Sequence, residues 1–268
     1  MRQVPILAAV PGERLFRLHA AEPESYEWVP AQSWVQAVTL IRTRPIEMAV
    51  VDPTLAGEAR SVEIARLRQH FPSLPLVVYT TLAPETAGAL LDLGRVGIRR
   101  VLFHRFDDAP GALRRALHAE LEESASQRLM QQLSDALPEL PDLLREALEV
   151  TLHAPGDGPT VSALAERAQL KRRTCERWFA RLGLPSPKMV LLLARVLYAH
   201  RLLLDPGYTV EDVALKLGYA RAKTLQMHFR EVFGLTAGEV RLSLSPDEAM
   251  HLITDRYLRQ PKQKQAAS

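Results

Sequence analysis

The feature that most constrains this chain is an internal repeat in its C-terminal half. The pattern Val161-Ser-Ala-Leu-Ala165 recurs as Val210-Glu-Asp-Val-Ala214 at an offset of 49 residues. Further matched pairs follow at offsets of 50 and 51: Cys175 with Leu225, Phe179 with Phe229, and Gly183-Leu184 with Gly234-Leu235. Self-similarity at a fixed spacing is the signature of one structural unit built more than once. We therefore predict two copies of one supersecondary unit between residues 161 and 235.

Each copy has the apolar spacing of a helix, a tight turn and a second helix. The turns are predicted near Gln169-Leu170 in the first copy and at Gly218 in the second. In the second helices, apolar residues at helical spacing are predicted to face inward: Cys175, Trp178, Phe179 and Leu182 in one, and Leu225, Phe229, Val232 and Phe233 in the other. The opposite faces are basic and polar, which suits a helix that enters a DNA major groove. The alternative is two amphipathic hairpins with solvated charges.

The positive charge of the chain is concentrated in the same region. The net charge is only +3, but residues 161–243 hold 14 Lys and Arg against 7 Asp and Glu, a balance of +7. Residues 1–137 hold 15 against 16, a balance of −1. A basic module beside a near-neutral one is the distribution expected when one part of a chain contacts phosphates.

A set of residues in this region resembles the AraC/XylS-type DNA-binding domain: Leu164-Ala165, Arg177-Trp178-Phe179, Gly183, Arg195, Ala199, Leu202-Leu203, Val213-Ala214, Gly218-Tyr219, Leu225, Phe229, Phe233-Gly234 and Arg241. The resemblance covers residues 138–243 and implies a seven-helix domain whose two recognition helices enter adjacent major grooves. The chain departs from the family at Ala237, where Pro is usual, and at Gln169, where Gly would ease the first turn. Neither departure falls on the outward faces.

The resemblance also implies which side chains contact DNA. The candidates for base contacts are Arg173, Glu176, Arg177, Lys223, Gln226 and Met227. The better candidates for phosphate contacts are Arg172, Arg181, Arg221 and Arg230. Side-chain chemistry favours guanine for the arginines, cytosine for Glu176, adenine for Gln226 and a thymine methyl for Met227. The alternative for Glu176 is that it orients Arg173 or Arg177.

A helix between the two copies is predicted from its end signals. Pro187 can begin a helix at Lys188, and Asp205-Pro206-Gly207 ends it. About 18 residues at 1.5 Å per residue give a rod of ~27 Å. One turn of DNA is ~34 Å long, so such a rod could hold two recognition helices over successive grooves.

Residues 1–110 alternate apolar strands with amphipathic helices, the pattern of an open parallel α/β sheet. The predicted strands are Pro5–Val10, Tyr26–Val29, Glu47–Val51, Leu76–Thr80 and Arg100–Phe103. The clearest predicted helices are Gln32–Arg42, Val62–His70, Glu85–Leu93 and one that begins near Ala109, after a short first helix within Glu13–Ser25 that holds Pro23. This α/β domain resembles the receiver domain of response regulators, with five strands in flavodoxin-like order.

The resemblance to receivers is poor at the residues that carry their chemistry. Asp52 ends the third strand, where the phosphoacceptor belongs, and Thr80 or Thr81 stands at the hydroxyl position. The acidic pair that would hold a divalent cation is missing after Val10, and His104 replaces the expected lysine. Phosphoryl transfer would then lack charge neutralisation. We therefore predict a degenerate receiver, in which Asp52 caps the next turn and His104 is a surface residue.

Residues 112–137 contain neither Gly nor Pro and are predicted to be helical. Leucines lie four apart in each half of this stretch: Leu113, Leu117, Leu121, Leu129, Leu133 and Leu137. One interpretation is a helix that extends the α/β domain and pairs with a second subunit. The other is that half of it packs on its own sheet and half is a solvated linker.

The remaining boundary signals divide the chain into four segments, 1–110, 111–137, 138–243 and 244–268. The second boundary falls in Leu137-Pro-Glu-Leu-Pro141. Ser245-Pro-Asp-Glu248 is typical of a capping box, which predicts a last helix to about Leu258. The polar segment Arg259–Ser268 is predicted to be disordered.

Composition excludes several other classes. Cys175 is the only cysteine, so no internal disulfide or Cys-rich metal site is expected. The chain shows neither a signal peptide nor an apolar run of the ~18 residues that a membrane span needs, which favours the cytoplasm and no membrane partner. It also has no Gly-rich phosphate loop, metal-ligand spacing or Ser-His-Asp order, so we expect no enzyme, cofactor or metal.

The leading hypothesis is a transcription regulator that binds double-stranded DNA as a homodimer, with RNA polymerase as a further candidate partner. One alternative is a response regulator that is phosphorylated at Asp52. Another is a small-molecule sensor, because open α/β sheets bind ligands beyond the carboxyl ends of their strands.

Overall fold

The computed structural model describes residues 3–21, 26–57, 59–109, 111–137, 140–153 and 158–259. The chain forms two compact units. One, called here the α/β unit, comprises Met1–Ser124 with Asp205–Tyr208. The other, called here the helical unit, comprises Ala125–Leu204 with Thr209–Ser268.

The α/β unit is built on a five-stranded parallel sheet. The strands are β1 Val4–Ala9, β2 Tyr26–Pro30, β3 Met48–Val51, β4 Leu76–Thr80 and β5 Arg100–Phe103. Their order is β2-β1-β3-β4-β5, and every neighbouring pair is parallel. The predicted fold class and strand order are therefore confirmed, with strand ends within one residue of the predicted ones.

Five helices cover this sheet: α1 Gly12–Ala21, α2 Trp34–Thr43, α3 Ser61–His70, α4 Pro84–Arg95 and α5 Ala112–Glu122. The central strands β3 and β4 are buried at every residue. A parallel strand covered by helices on both faces has no solvent side, which explains why these segments are continuous apolar runs. The first helix has ten residues, the same as α2 and α3, so the expectation that it would be unusually short is not met. Pro23 lies outside the described residues.

The helical unit contains nine α-helices in its described part: α6 Ala125–Asp135, α7 Asp142–Leu152, α8 Val161–Arg167, α9 Arg172–Arg181, α10 Pro187–Leu203, α11 Val210–Lys216, α12 Ala222–Phe233, α13 Ala237–Ser243 and α14 Pro246–Ile253. A short π-helical segment, Thr254–Leu258, follows the last of them. The predicted capping box is confirmed, because Ser245 and Glu248 cap each other's backbone N–H groups. Residues 138–139 of the predicted boundary and residues 260–268 of the predicted disordered tail lie outside the described residues.

The structure divides the leucine-rich stretch 112–137 into two helices, so the prediction of one continuous pairing helix is wrong. The break falls at Glu123 and Ser124. Leu113 and Leu117 are fully buried in the core of the α/β unit. Leu129 and Leu133 are buried in α6, which packs on α7 and α10 and is not a solvated linker. The four-residue spacing of these leucines serves two separate cores.

Candidate nucleic-acid interface

Helices α8 and α9 form one helix-turn-helix unit, and α11 and α12 form a second. Their turns match in detail. Gln169 and Gly218 both adopt positive φ angles, 54° and 69°. The next residue in each turn donates its N–H back to the first helix, Leu170 to the Ala165 carbonyl at 2.8 Å and Tyr219 to the Ala214 carbonyl at 2.9 Å. The predicted repeat is therefore a repeat of structure, including the turn where Gly was expected and Gln stands.

The two units also match at their helix starts and in their interiors. Thr160 and Thr209 cap α8 and α11 through their side-chain oxygens. The inward residues are fully buried in both copies: Leu164, Cys175 and Phe179 in one, Val213, Leu225 and Phe229 in the other. Burial raises the pKa of the Cys175 thiol, which fits a packing role. Trp178 and Leu182 are exceptions to the predicted pattern, because both are half-buried.

Helix α9 carries five of the ten predicted contact residues. Arg173, Arg177 and Arg181 are exposed. Glu176 pairs with Arg172, with 2.9 Å between Arg172 Nε and Glu176 Oε1. Glu176 is a predicted base contact and Arg172 is a predicted phosphate contact. Arg173 or Arg177 was the expected partner of Glu176, so the observed partner is a different arginine. Exposed pairs at i,i+4 contribute only about 0.3–0.5 kcal/mol, so a DNA phosphate could displace the carboxylate.

The outward face of α12 presents the second group of predicted residues. Lys223, Gln226 and Met227 are exposed, the last with 52% of its surface accessible. Arg221 stands at the N-cap of the helix and Arg230 in its last turn, both exposed. All ten predicted contact residues therefore lie on or directly before α9 and α12.

Helix α10 packs against α8, α9, α11 and α12, and so connects the two helix-turn-helix units. Ser186 caps it, Pro187 is its first residue, and it ends before Asp205-Pro206-Gly207, as predicted. Its 17 residues span ~25 Å. Eleven of them are buried, among them His200, whose pKa is lowered by burial. Such a helix is anchored along its length and can act as a rod.

Sequence reasoning missed a polar cluster beneath α12. The Tyr219 hydroxyl lies 2.9 Å from His228 Nδ1. The Arg195 guanidinium is centred 3.8 Å from the Tyr219 ring, and it donates to the Leu217 carbonyl. Burial raises the pKa of Tyr219 and lowers that of His228. Arg195 and Tyr219 were part of the quoted family pattern, but nothing in the sequence joined them to His228.

In the α/β unit, Asp52 lies at the carboxyl end of β3 and is fully buried. Its carboxylate accepts hydrogen bonds from the Thr54 N–H at 2.7 Å and the Thr80 hydroxyl at 3.3 Å. Arg14 forms an ion pair with it and also reaches Thr54 at 2.9 Å and Thr81 at 3.4 Å. The prediction that Asp52 caps the following turn is confirmed, but Arg14 was missed.

His104 was predicted to be a surface residue, and that prediction is wrong, because it is 6% exposed. Its Nδ1 lies 2.8 Å from the Tyr79 hydroxyl and 3.0 Å from the Asp108 carboxylate. The Tyr79 hydroxyl also donates to Asp108 at 2.7 Å. Burial, followed by the Asp108 carboxylate, raises the pKa of Tyr79 well above its usual range. Burial alone would raise the pKa of Asp108, but hydrogen bonds from Tyr79 and the Arg105 backbone outweigh it and lower the pKa.

Other kinds of site find little support in the described residues. No group of three or more His, Cys, Asp or Glu side chains there could hold a metal ion. None of the described helices combines the length and apolar character that a membrane crossing requires.

A parallel α/β unit and two helix-turn-helix units with basic outward faces define a DNA-binding transcription regulator with a receiver-like domain. The family comparison agrees, because residues 164–243 match the model of a helix-turn-helix domain. This segment is therefore a helix-turn-helix domain, which agrees with the resemblance drawn from the sequence.

Comparisons with whole proteins give weaker results. No curated protein matches the chain. Among solved structures, the RcsB response regulator of Salmonella typhimurium is 19% identical over 71% of this chain and 98% of its own, with a TM-score of 0.37. FixJ from B. japonicum is 13% identical over 73% and 98%, with a TM-score of 0.35. The xylose-binding transcription activator xylR is 16% identical over 91% and 71%, with a TM-score of 0.34.

Proposed function

We propose that the chain is a sequence-specific transcription regulator that places α9 and α12 in successive major grooves of one DNA duplex. The observation that carries this proposal is the pair of matched helix-turn-helix units that pack on one rod, α10, with their basic faces exposed. A major groove accepts one α-helix, and half-sites one helical turn apart lie on the same side of the duplex. The DNA-binding domain is proposed to span residues 138–243.

The proposed roles of the side chains follow from charge and position. Base contacts are assigned to Arg173, Glu176, Arg177, Lys223, Gln226 and Met227. Phosphate contacts are assigned to Arg172, Arg181, Arg221 and Arg230. Because Arg172 and Glu176 pair in the free protein, binding must exchange this pair for contacts with DNA. A phosphate can accept from Arg172 and free Glu176 for a base.

The test is a selection of bound duplexes from a random pool with the full chain. We expect a motif of two half-sites whose centres lie about 10–10.5 base pairs apart. A single short half-site would contradict the two-groove arrangement. Recovery of unrelated sequences would contradict sequence-specific binding altogether.

We further propose that the α/β unit does not use Asp52 as a phosphoacceptor. In a working receiver a divalent cation neutralises the charge that develops on the transferred phosphoryl group. Here the Arg14 guanidinium is bonded to the Asp52 carboxylate and to the hydroxyls of Thr54 and Thr81. Arg14 holds Asp52 Oδ2, and the N–H and hydroxyl of Thr54 hold Oδ1, so both oxygens of this fully buried carboxylate are already engaged inside the protein.

Incubation with acetyl phosphate and Mg²⁺, followed by intact-protein mass measurement, tests this second proposal. We expect no mass increase for the wild type. A hydroxylamine-sensitive increase of one phosphoryl group that disappears in Asp52→Asn would instead support the alternative of a phosphorylated response regulator.

Partners other than DNA stay predictions. Self-association stays a prediction. The α/β unit exposes several large apolar side chains, among them Phe16, Val35 and Phe106, and a contiguous exposed apolar patch is the kind of surface that a second copy would cover. The leucines of residues 112–137 do not supply the interface, because most of them are buried. Light scattering of the full chain tests self-association, and a monomer mass at all concentrations would contradict it.

RNA polymerase stays a candidate partner, and binding to chromosomal DNA would place the protein in the cytoplasm.

A further inference from the structure

The repeat places a nitrogen-containing ring at the same point of each recognition helix. Trp178 precedes Phe179, and His228 precedes the matched Phe229. Both rings are half-buried, whereas the preceding residues Arg177 and Met227 are exposed. Successive residues of an α-helix are turned by ~100°, since one turn holds 3.6 residues. The two rings therefore lie on the flank of each helix, between its buried face and its outward face.

Tyr219 is the hydrogen-bond partner of one nitrogen of the His228 ring. Tyr219 is 8% exposed, and its hydroxyl lies 2.9 Å from His228 Nδ1. In the tautomer that we assign, the hydroxyl donates its proton to Nδ1. Burial raises the pKa of Tyr219, and the Arg195 charge above the ring offsets this only in part, so the phenol keeps a proton that it can donate. The neutral His228 ring then carries its own proton on Nε2.

The charged groups around His228 agree with a neutral ring. Burial is the main cause that lowers its pKa, and Arg195 and Lys188 lower it further. Glu231 opposes them without reversing the shift. The imidazole is therefore uncharged near neutral pH, with one N–H donor in a fixed direction.

Trp178, the matched residue in the first unit, also presents a neutral N–H donor. An indole is always neutral, and its Nε1–H can only donate. The Arg181 guanidinium stacks 5.6 Å from the Trp178 ring centroid and cannot accept that hydrogen bond. Within the described part of the chain nothing accepts from Trp178 Nε1 or His228 Nε2. They differ from Trp34 Nε1, which is enclosed without a partner.

We propose that Trp178 Nε1–H and His228 Nε2–H each donate a hydrogen bond to a DNA backbone phosphate. This inference rests on the proposed function, in which α9 and α12 enter major grooves. The groove is ~12 Å wide and bordered by phosphates on both sides, so flank positions of a seated helix face the backbone. Two equivalent neutral donors would set the register of both helices in their grooves without adding charge.

Neutral and charged phosphate contacts differ in their dependence on salt. A Lys or Arg contact releases a counterion, and each one adds ~0.9 to the slope of log affinity against log salt. A neutral N–H releases none. Its loss should therefore weaken binding by the same factor at every salt concentration.

The experiment measures the affinity of the full chain for its selected duplex over a series of salt concentrations. Trp178→Phe and His228→Phe keep a ring and remove the donor, and each should weaken binding by about two- to tenfold with an unchanged slope. Tyr219→Phe removes the hydroxyl that orients His228 and should have a smaller effect of the same kind. The matched controls Arg181→Gln and Arg230→Gln should each reduce the slope by ~0.9.

Variants that exchange the two rings distinguish the loss of an N–H donor from misfolding. Trp178→His and His228→Trp restore an N–H at the flank and should bind more tightly than the phenylalanine variants. Unchanged affinity in both phenylalanine variants, with the arginine controls behaving as expected, would overturn the inference and leave the proposed function intact. A slope change in His228→Phe would overturn the neutral contact. Failure of the wild type to select any sequence would overturn the proposed function, and this inference with it.

Discussion

The carboxyl edge of the sheet and the outward faces of the recognition helices use charged residues in opposite ways. At the edge, Asp52 and Arg14 are bonded to one another and to nearby hydroxyls, and Asp52 has no accessible surface. On α9 and α12, the arginines and Lys223 face solvent, and the described ion pair there joins exposed Arg172 to Glu176. Internal pairing fixes a structure, whereas unpaired exposed charge remains available to a partner. The difference supports the proposal that α9 and α12 recognise DNA, and it assigns a structural role to the sheet edge.

The largest effect is expected when the internal pair is broken. Arg14→Ala leaves a buried, uncompensated carboxylate at Asp52 and removes the hydrogen bonds to Thr54 and Thr81. The free energy of unfolding should fall by about 3–5 kcal/mol. Urea unfolding of the full chain measures this. The double variant Arg14→Ala with Asp52→Asn should regain part of the loss, and a loss below about 1 kcal/mol in the single variant would show that the pair is solvated.

The second prediction separates the two kinds of contact on the helices. Arg177→Ala should relax sequence preference at one position, because it removes a base contact, at a cost of about 1–3 kcal/mol. Arg230→Ala should weaken all sequences alike, because it removes a phosphate contact. Affinities for the selected duplex and for variants mutated at each position distinguish the outcomes. Identical behaviour of the two variants would contradict the assignment.

A third prediction concerns the hydrogen-bonded cluster of Tyr79, His104 and Asp108 in the α/β unit. Tyr79→Phe removes the hydroxyl that donates to Asp108 and contacts His104. We expect a loss of about 1–3 kcal/mol in the free energy of unfolding at neutral pH.

The pH dependence of this loss has a definite sign. The pKa of Asp108 is lowered in the folded chain, so the stability that its carboxylate contributes is present above its unfolded pKa of ~3.9 and disappears as the pH falls through the lower folded value. The stability gap between wild type and Tyr79→Phe should narrow in that acidic range. A gap that widens there would contradict the assigned hydrogen bonds.

The smallest effect is expected from substitutions in the turns of the two helix-turn-helix units. Gln169 holds a positive φ of 54° where the second unit has Gly218 at 69°. A left-handed conformation costs a non-glycine residue about 1–2 kcal/mol of strain, which glycine avoids. Glycine, however, loses more conformational entropy on folding, and this cancels part of the benefit. Gln169→Gly should therefore stabilise the helical unit by up to about 1 kcal/mol, and Gly218→Ala should destabilise it by a similar amount. Thermal unfolding of both variants tests this, and a destabilising Gln169→Gly would show that the Gln169 side chain has a role of its own.

The sequence predicted the architecture well where periodicity determines it. The positions of the strands, both helix-turn-helix units, the limits of α10 and the capping box at Ser245 depend on local patterns, and the structure contains them. The order of the strands followed instead from the resemblance to receiver domains. Local patterns also located Asp52 at the end of β3 and the predicted contacts on α9 and α12.

Contacts between segments distant in sequence could not be predicted in this way. Arg14 meets Asp52 across 38 residues, and nothing local to either residue specifies the other. His104 looked like a surface residue because its partner Tyr79 lies 25 residues away on the next strand. Arg172 and Arg173 both stand at helical spacing from Glu176, so the sequence does not choose between them, and the structure pairs Glu176 with Arg172. The break at Glu123 was hidden because the leucines on both sides keep the same spacing.

The central claim is that one rod holds two recognition helices over successive grooves, and the spacing of the half-sites tests it most directly. Inserting about 5 base pairs between the two half-sites turns one of them to the opposite side of the duplex. We predict that binding of the full chain then falls to the affinity of a single half-site. Undiminished affinity for the duplex with the insertion would contradict the claim, since a rigid α10 could not follow that rotation.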